Sequence, residues 1–493
     1  MQKNPPKHAP LDRRGFLEGI AAGVGGMTLA GCGGGGGGGG EALPPPFEQP
    51  LPPSTASTRN ALPRPPLPAA ATSGIDRIVL VTMENRSFDH FLGWVPRAEG
   101  LQANLRYSDA FGDIRPTFAL APESGYGFAS CGRADPNHSY DAGRKHFGDG
   151  KMNGWLLTAD TSKTRGDRLP IGYYRAEDLP FYSAAANEYT VCDYYFSGIL
   201  SETYPNRVYL HSGQTDRLDN SLVTSTLPTI WDRLADKSIT RGYYYHDTPF
   251  LALFGVKYND ISKKIDAFYA DAAAGTLPSF SMVDPRFGGE SAGTSNDDHP
   301  HADVRNGQAF VSKVYDTLRA SPTWATTLMV VVYDEWGGFF EHVAPPIRPV
   351  SAEEKTLGND GRLGFRVPCI LFGPRVRKAF VSQYPFDPSS IHKLLEWRFG
   401  LAPLGVRGTD SATLNLAYSL DFSSAPRADR VQLPLPAEVA AGCPSTVLPG
   451  STPTDASTAD RKSTQAIGSD GAELPGGRFH GLWLKAQANG FAL

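Results

Sequence analysis

Short apolar runs rich in Val and Ile alternate along this chain with longer stretches of helical period. The runs RIVLVTM, TLMVVVY and RVPCILF lack polar alternation, which is typical of strands buried on both faces. They cover residues 77–83, 327–333 and 366–372. Helical periods follow at 228–237, at 303–321 and after Asp387. The alternation predicts an α/β fold with a mostly parallel sheet flanked by helices.

Polar pairs directly follow two of these runs. Glu84 and Asn85 come after the first, and Asp334 and Glu335 come after the second. Because the carboxyl ends of parallel strands meet at one edge of a sheet, both pairs are expected at the edge where ligands bind. Three carboxylates and an amide oxygen repel one another unless a cation lies between them, and such oxygens suit Mg²⁺, Ca²⁺ or Mn²⁺. One pair alone also fits an acidic helix cap, whereas two pairs favour one divalent metal ion.

A hydroxyl that such an ion could activate lies in the turn SETYPNR, at residues 201–207. The segment from Thr203 to Arg207 has the form T-x-P-x-R. A metal helps a neighbouring hydroxyl to lose its proton, which makes Thr203 the candidate nucleophile. Arg207 can bind phosphate oxygens through two donors and is the candidate substrate-binding residue. The alternative interpretation is an ordinary turn centred on Pro205.

Histidines recur in the remaining polar loops. They are His138 in DPNHSYD, His299 and His301 in NDDHPHAD, and His342 in FFEHVAPP. A single histidine is more often structural than catalytic, but four in loops rich in Gly, Pro and Asp exceed what a core requires. Together with the acidic pairs and the threonine, they indicate a metal-assisted hydrolase of phosphate esters.

Four segments, in this order, resemble motifs of the bacterial phosphoesterase family of phospholipases C and an acid phosphatase. They are MENRSFDHFLG, TYPNRVYLHSG, YDEWGGFFEHVAPP and LLEWRFGL. The resemblance extends over about residues 75–401 and implies a doubly wound α/β sheet like that of the alkaline phosphatase superfamily. It also implies one bound metal ion, whose ligands would be Glu84, Asn85, Asp334, Glu335 and Thr203.

The same resemblance implies the catalytic roles. Thr203 corresponds to the nucleophile that attacks phosphorus and forms a phosphothreonine intermediate. His138, His299 and His342 match the loop histidines around the phosphate, and His301 matches less well and is assigned to substrate binding. One histidine protonates the departing alcohol, and an activated water then releases the phosphate product. The implied partner is a phospholipid or another phosphate ester.

The chain departs from the family pattern at two places. Ser201-Glu202 stands where the family usually has Gly-Pro, and the added carboxylate is expected to alter the preferred charge of the substrate. Asp387-Pro388-Ser389 lacks the histidine of the family's Asp-His-x-Ser segment. The second departure is expected to affect rate and pH optimum more than the class of reaction.

Two rival functions are weighed against this one. A sulfatase is suggested because T-x-P-x-R mirrors the sulfatase motif C/S-x-P-x-R. Sulfatases oxidise that Cys or Ser to an aldehyde, whereas the secondary alcohol of Thr203 could give only a ketone. A non-catalytic surface lipoprotein that binds an anion would be expected to lose ligands or the nucleophile, and the set is complete. A phosphoric-ester hydrolase is therefore favoured.

The chain begins with the pattern of an export signal. Residues 1–32 contain Arg-Arg, a Gly-rich apolar stretch too short to span a bilayer, and the lipobox-like segment LAGC, which predict a twin-arginine lipoprotein signal with Cys32 as the lipidated residue. Residues 33–72 predict a Gly/Pro-rich linker, 73–424 the phosphoesterase domain, and 425–493 a mostly irregular tail with a short docked end. The protein is expected in the periplasm or on the cell surface, anchored to the membrane by lipid.

The net charge limits the possible partners of the protein, and the cysteine content limits its possible disulfides. The net charge of -4 gives no general attraction to nucleic acid, so no nucleic-acid partner is expected. Cys131, Cys192, Cys369 and Cys443 remain besides Cys32, and an oxidising compartment allows three pairings among them. Cys192 and Cys369 lie in apolar runs and equally fit small buried hydrophobic residues.

Overall fold

An eight-stranded sheet forms the centre of the structure, which is a computed structural model. The described residues are 59, 61–131, 133–158, 166–289, 292–439, 443, 475 and 477–493. The predicted export signal, Cys32 and most of the predicted linker lie outside them. None of the helices among these described residues combines the length and apolarity that a membrane span needs.

The strands of the central sheet follow the spatial order β12-β6-β11-β10-β1-β9-β7-β8. Their bounds are β1 Arg77–Met83, β6 Thr190–Cys192, β7 Arg241–Tyr245, β8 Ser262–Lys264, β9 Phe280–Val283, β10 Thr327–Tyr333, β11 Cys369–Phe372 and β12 Phe380–Ser382. Two small pairs lie outside it: β2 Arg106–Ser108 with β3 Ile114–Pro116, and β4 Phe118–Ala119 with β5 Gly172–Tyr173. Only β11 runs antiparallel to its neighbours in the central sheet. The predicted α/β class with a mostly parallel sheet is confirmed.

The predicted strands at 77–83 and 327–333 form the centre of the sheet with the predicted bounds. They pair in parallel along their whole length, and the last pair is Met83 with Tyr333. The third predicted strand begins only at Cys369, because Pro368 lacks an N–H and the buried Arg366 is used in ion pairs. It runs antiparallel, which directs its carboxyl end to the opposite edge.

Helices flank the sheet. The α-helices with both ends among the described residues are α1 Phe88–Leu92, α2 Tyr140–Phe147, α3 Pro180–Glu188, α4 Thr203–Ser212, α5 Ile230–Asp236, α6 Ile265–Ala274, α7 Val304–Ala320, α8 Ala352–Thr356, α9 Pro388–Phe399, α10 Gly405–Thr409 and α11 His480–Ala488. The helix predicted at 228–237 starts at Ile230, because Thr229 and Asp232 form a capping box there. Asp303 caps α7 and Asp387 caps α9. The helix signals therefore located these elements to within two residues.

The C-terminal segment packs into the same core as the sheet. Leu482 of α11 is fully buried, and Phe491 is nearly so. A disulfide joins Cys131 to Cys443 and connects the tail to the loop before α2. Cys192 and Cys369 are buried, unpaired thiols on the neighbouring strands β6 and β11. One pairing is thus formed, and the other two cysteines are small core residues.

Candidate active site

The polar pairs after β1 and β10 meet at one edge of the sheet, as the strand register requires. The backbone N–H of Asn85 donates to Oδ1 of Asp334 at 3.2 Å, and the N–H of Asp334 donates to the carbonyl of Met83 at 3.0 Å. Glu84, Asn85 and Glu335 are fully buried, and Asp334 is 5% exposed. The structure thus brings four of the five predicted metal ligands together, and the fifth, Thr203, lies beside them.

Gly337 and Gly338 allow the neighbouring loops to approach this cluster. Both have a positive φ, of 62° and 75°, which favours glycine. A Cβ at Gly337 would lie 2.2 Å from the carbonyl oxygen of Asn85, and a Cβ at Gly338 would lie 2.6 Å from Pro136. The two glycines of the segment DEWGG are therefore required where the Asn85 turn and the His138 loop converge.

Three buried oxygens of the cluster accept no hydrogen bond from the described residues. They are Oδ1 of Asn85, Oδ2 of Asp334 and Oε1 of Glu335. An unpaired buried acceptor costs about 1–3 kcal/mol, and a cation bound by these oxygens would offset that cost. Carboxylate and amide oxygens are the ligands that Ca²⁺, Mg²⁺ and Mn²⁺ prefer. The donor set therefore fits one divalent ion of this kind.

Arg207 lies beneath the cluster and contacts protein carboxylates. Its guanidinium donates to Oε1 of Glu84 from Nε at 2.9 Å and also from Nη2, and to Oδ1 of Asp284 from Nη1 at 2.8 Å. Nε also lies 3.8 Å from Oδ2 of Asp334. Arg207 is fully buried. The expectation that Arg207 binds substrate phosphate is corrected accordingly, because its donors are directed at the acidic cluster.

Asp284 is a site residue that the sequence analysis missed. It follows strand β9 directly, so the rule that singled out Glu84 and Asp334 applies to it as well. The hydroxyl of Tyr243 also contacts its carboxylate. Asp284 holds the far side of the Arg207 guanidinium and thereby fixes the side chain that orients Glu84.

The acidic cluster remains short of positive charge despite Arg207. Burial raises the pKa of Glu84, Asp334 and Glu335 above their ordinary values. The charge of Arg207 opposes this rise at Glu84 and Asp334, whereas at Glu335 the neighbouring Asp334 adds to it. Raised pKa values are the signature of buried carboxylates that a further cation would stabilise.

Thr203 is the first residue of α4 and faces the cluster. Its Oγ1 lies 3.5 Å from Oε2 of Glu84, and the residue is 2% exposed. The N-terminal end of a helix favours negative charge, so this position favours a deprotonated hydroxyl. Asn206 fixes the preceding turn through donors to the carbonyls of Ser201 and Glu202. The predicted nucleophile therefore lies beside the predicted metal ligands.

His138 and His299 approach the cluster from two different loops. Nδ1 of His138 hydrogen-bonds the carbonyl of Pro136 at 2.7 Å, and its Nε2 lies 3.5 Å from Oε1 of Glu335. Nδ1 of His299 hydrogen-bonds Oδ2 of Asp297 at 2.7 Å, and its Nε2 lies 3.6 Å from Oε2 of Glu84. Each ring is thus anchored through Nδ1 and presents Nε2 to the cluster, the geometry of an oriented general acid or base.

Arg86 and His90 support the His299 loop. Arg86 donates to the carbonyls of Asp298 and His299 at 2.6 and 3.1 Å. It also donates to Nε2 of His90 at 3.0 Å, while Nδ1 of His90 donates to the carbonyl of Gly172. Burial and the charge of Arg86 lower the pKa of His90 well below its ordinary value, so His90 is neutral.

His342 belongs to a second cluster. Its Nδ1 lies 2.5 Å from Oδ2 of Asp89, and Arg366 donates to Asp89 at 3.2 Å and to Glu341 at 2.7 Å. Asp89, Glu341 and His342 are close enough to hold a metal, but Arg366 already supplies their cation. In the described part of the chain, no hydrogen bond or ion pair joins His342 to Glu84, Asp334 or Glu335. The Glu84 cluster differs from it in having buried oxygens that accept no hydrogen bond from the described residues.

His301 contacts the loop that precedes His138. Its Nε2 donates to the carbonyl of Arg133 at 2.8 Å.

Glu202, which replaces the family's Pro, accepts a hydrogen bond from the N–H of Asn220 at 2.6 Å. The structure thus shows Glu202 fixing the loop beside Thr203.

The C-terminal segment also reaches the site, which the sequence patterns did not indicate. Arg478 forms an ion pair with Asp135 at 2.6 Å, and Phe479 packs against the ring of His299 at 5.4 Å between centroids. Burial raises the pKa of Asp135, but the charge of Arg478 and then those of nearby histidines lower it to about 2. Asp135 is therefore charged throughout the neutral pH range.

Comparison with known proteins agrees with the sequence motifs. Residues 75–402 match the Phosphoesterase family. Non-specific phospholipase C1 of Arabidopsis thaliana is 34% identical over 349 residues, which are 64% of this chain and 63% of that relative. Phospholipase C A of Mycobacterium tuberculosis is 28% identical over 75% of this chain and 82% of its own. The chain therefore spans somewhat less than two thirds of the first relative's length.

Solved structures with detectable similarity are more distant. The lipoteichoic acid synthase LtaP from Listeria monocytogenes is 7% identical, with a TM-score of 0.36 over 74% of this chain and 81% of that chain. A protein in the alkaline phosphatase superfamily from Vibrio parahaemolyticus is 11% identical, with a TM-score of 0.32 over 48% of this chain and 64% of that chain. Similarity at this level does not bear on activity.

Proposed function

Because the chain belongs to the Phosphoesterase family, we propose that it hydrolyses phosphoric esters with Thr203 as nucleophile and one divalent metal ion as cofactor. The observation that carries the proposal is the position of Thr203 at the start of α4, 3.5 Å from Glu84 in a buried cluster with unpaired oxygens. Glu84, Asn85, Asp334 and Glu335 would hold the ion. Bound there, it would supply positive charge that stabilises the anionic phosphate and favours loss of the hydroxyl proton.

We assign nucleophilic attack, protonation of the leaving group and activation of water to three residues of this chain. Oγ1 of Thr203 gives up its proton to Oε2 of Glu84, 3.5 Å away, and forms a bond to phosphorus as the bond to the leaving alcohol breaks. The product of this step is a phosphothreonine that still carries the head group of a diester substrate. His138 retains 11% side-chain exposure and lies at the open side of the cluster, so we assign it the proton that the leaving oxygen receives. His299, fully buried and oriented by Asp297, is assigned to the water that releases the phosphate product.

The substrate class that we propose is a phospholipid, cleaved on the glycerol side of its phosphodiester as in phospholipase C. Relatives in a plant and in a bacterium carry the name phospholipase C, which supports this choice. Ca²⁺, Mg²⁺ and Mn²⁺ are the proposed ions, since each accepts an all-oxygen ligand set. Export and lipidation at Cys32 would bring the enzyme to a membrane, and Cys32→Ser is expected to release it into the soluble fraction.

A panel of substrates tests the proposal. Wild type, Thr203→Ala and Asp334→Asn are assayed with phosphatidylcholine, p-nitrophenyl phosphorylcholine and p-nitrophenyl phosphate. We expect wild type to cleave the two diesters and both variants to lose that activity. Preference for p-nitrophenyl phosphate would instead indicate an acid phosphatase. Wild-type rates in both variants on every substrate would refute the proposed chemistry.

A further inference from the structure

Two histidines reach the acidic cluster from separate loops, and one dipeptide of the C-terminal segment touches both loops. Arg478 contacts the loop of His138, and Phe479 contacts His299 itself. The dipeptide lies more than 170 residues from either histidine in sequence. Its position suggests a function in setting the distance between the two imidazoles.

Arg478 acts on the His138 loop through Asp135. The ion pair joins Nη1 of Arg478 to Oδ2 of Asp135 at 2.6 Å, with 17% and 29% of the two side chains exposed. The next residue, Pro136, supplies the carbonyl that anchors Nδ1 of His138. A displacement of Asp135 is therefore passed on to the ring of His138 through two residues of backbone.

Phe479 acts on His299 by direct packing. Its ring is 2% exposed and meets the imidazole at an interplanar angle of 63°. Phe250 and Phe287, which contact each other, both pack against the ring of Phe479, at 5.2 and 5.1 Å between centroids. Tyr204, the residue after the proposed nucleophile, stacks on Phe479 at 5.9 Å. Phe479 thus lies between the nucleophile's helix and the His299 ring.

The segment that presents this dipeptide is held in place independently. Lys485 donates to the carbonyl of Leu222 at 2.6 Å, and Asn259 donates to the carbonyl of Asn489 at 2.7 Å. The side chain of Leu482 is fully buried in the main core. Substitution of Arg478 or Phe479 should therefore leave α11 docked, so that effects at the site can be measured in a folded protein.

We propose that Arg478 and Phe479 are positioning residues that fix His138 and His299 around Thr203, so that the C-terminal segment is part of the active site. The inference rests on the proposed function, since it concerns the efficiency of that same reaction. Misplacement of a catalytic group by about 1 Å can cost on the order of 100-fold in rate. The effect should fall on kcat, because neither side chain belongs to the proposed ligand set for the metal or phosphate.

The test compares variants of the full chain on phosphatidylcholine and p-nitrophenyl phosphorylcholine. Phe479→Ala, which acts on His299, is expected to lower kcat by about 10- to 100-fold on both substrates, with KM within about twofold. Arg478→Ala, which acts through His138, is expected to lower kcat by that much on phosphatidylcholine and by less than about tenfold on p-nitrophenyl phosphorylcholine. Arg478→Lys, which keeps the charge facing Asp135, should restore most of the rate. Leu484→Ala is the matched control, because Leu484 lies on the same helix with 46% of its surface exposed. Wild-type kcat in both alanine variants would overturn the proposal.

Two further measurements separate this inference from the proposed function. The imidazole NMR signals of His299 should move in Phe479→Leu, which fills the space without an aromatic ring, whether or not the protein is active. Thr203→Ala is assayed beside the other variants. If Thr203→Ala is fully active, the proposed function fails. If Thr203→Ala is inactive while kcat and the His299 signals are unchanged in Phe479→Leu, the positioning role alone fails.

Discussion

Oγ1 of Thr203 and Oε2 of Glu84 lie 3.5 Å apart, although 119 residues separate them in the chain. The contact joins the first residue of α4 to the residue that follows the central strand β1. Around it lie unpaired carboxylate and amide oxygens and two oriented imidazoles. The pair therefore marks the point at which a hydroxyl, a cation and a phosphate can meet.

Substitution of Thr203 should show how much of the activity depends on its hydroxyl group. Thr203→Ala removes the proposed nucleophilic hydroxyl and is therefore expected to lower kcat by on the order of 10³-fold or more. Thr203→Ser keeps a hydroxyl at the same place and should retain activity within about 100-fold. Steady-state kinetics on p-nitrophenyl phosphorylcholine give both values. Equal activity in the two variants would contradict the assignment.

Metal content should distinguish the two acidic clusters. Asp334→Asn and Glu335→Gln each remove charge from the cluster with unpaired oxygens, so the purified variants should contain much less metal than wild type by elemental analysis. Glu341→Gln alters the cluster that Arg366 already neutralises and should keep wild-type metal content. Loss of metal in Glu341→Gln alone would assign the ion to the second cluster.

Removal and return of the metal should also change stability. Burial raises the pKa of Glu84, Asp334 and Glu335, so without a cation their charged forms destabilise the fold above their unfolded pKa values near 4. Chelated protein should therefore melt at a lower temperature at neutral pH. An ion present at 100 times its Kd would restore about 2.7 kcal/mol. Asp334→Asn should gain much less, and an equal gain would place binding elsewhere.

His342 should make stability depend on alkaline pH. Burial opposes its protonation, but Asp89 and then Glu99 raise the pKa of His342 from 6.5 to about 9. Because the folded pKa is the higher one, this contribution is complete below pH 6.5 and is lost as the pH rises through about 9. Its loss is on the order of 3 kcal/mol. Urea unfolding at several pH values should show the decline in wild type and a smaller one in His342→Gln.

The choice of leaving group should reveal the role of His138. A diacylglycerol oxygen needs a proton to depart, whereas p-nitrophenolate leaves without one. His138→Asn should therefore lower hydrolysis of phosphatidylcholine by about 100-fold or more and that of p-nitrophenyl phosphorylcholine by less than about tenfold. His299→Asn, which alters a buried group beside Glu84, should lower both alike. The opposite pattern would exchange the two assignments.

The sequence predicted those parts of the site that follow from strand ends. Glu84 and Asp334 could be paired because each follows a buried apolar run, and the parallel register then places them side by side. Asp284 obeys the same rule and could have been found by it. The role of Arg207 could not be predicted, since its donors face carboxylates that come together only in the fold.

Long-range packing accounts for the parts of the site that could not be predicted from the sequence. His342 shares a loop with Asp334 and Glu335 in sequence, yet Asp89 and Arg366 draw its side chain into another cluster. Phe479 follows a Pro/Ser/Thr-rich tail whose composition predicts irregular structure, and only its burial against His299 makes it part of the site. Contacts of this kind leave no local pattern in the sequence.

Thr203 should become covalently phosphorylated during turnover. Rapid acid quenching of the enzyme with p-nitrophenyl phosphorylcholine, followed by peptide mass spectrometry, would detect this intermediate. We expect a phosphocholine or phosphate adduct on Thr203 in the peptide that contains TYPNR, accumulating in variants slow to react with water, such as His299→Asn. Full turnover with no adduct on Thr203, or an adduct on another residue, would contradict the account.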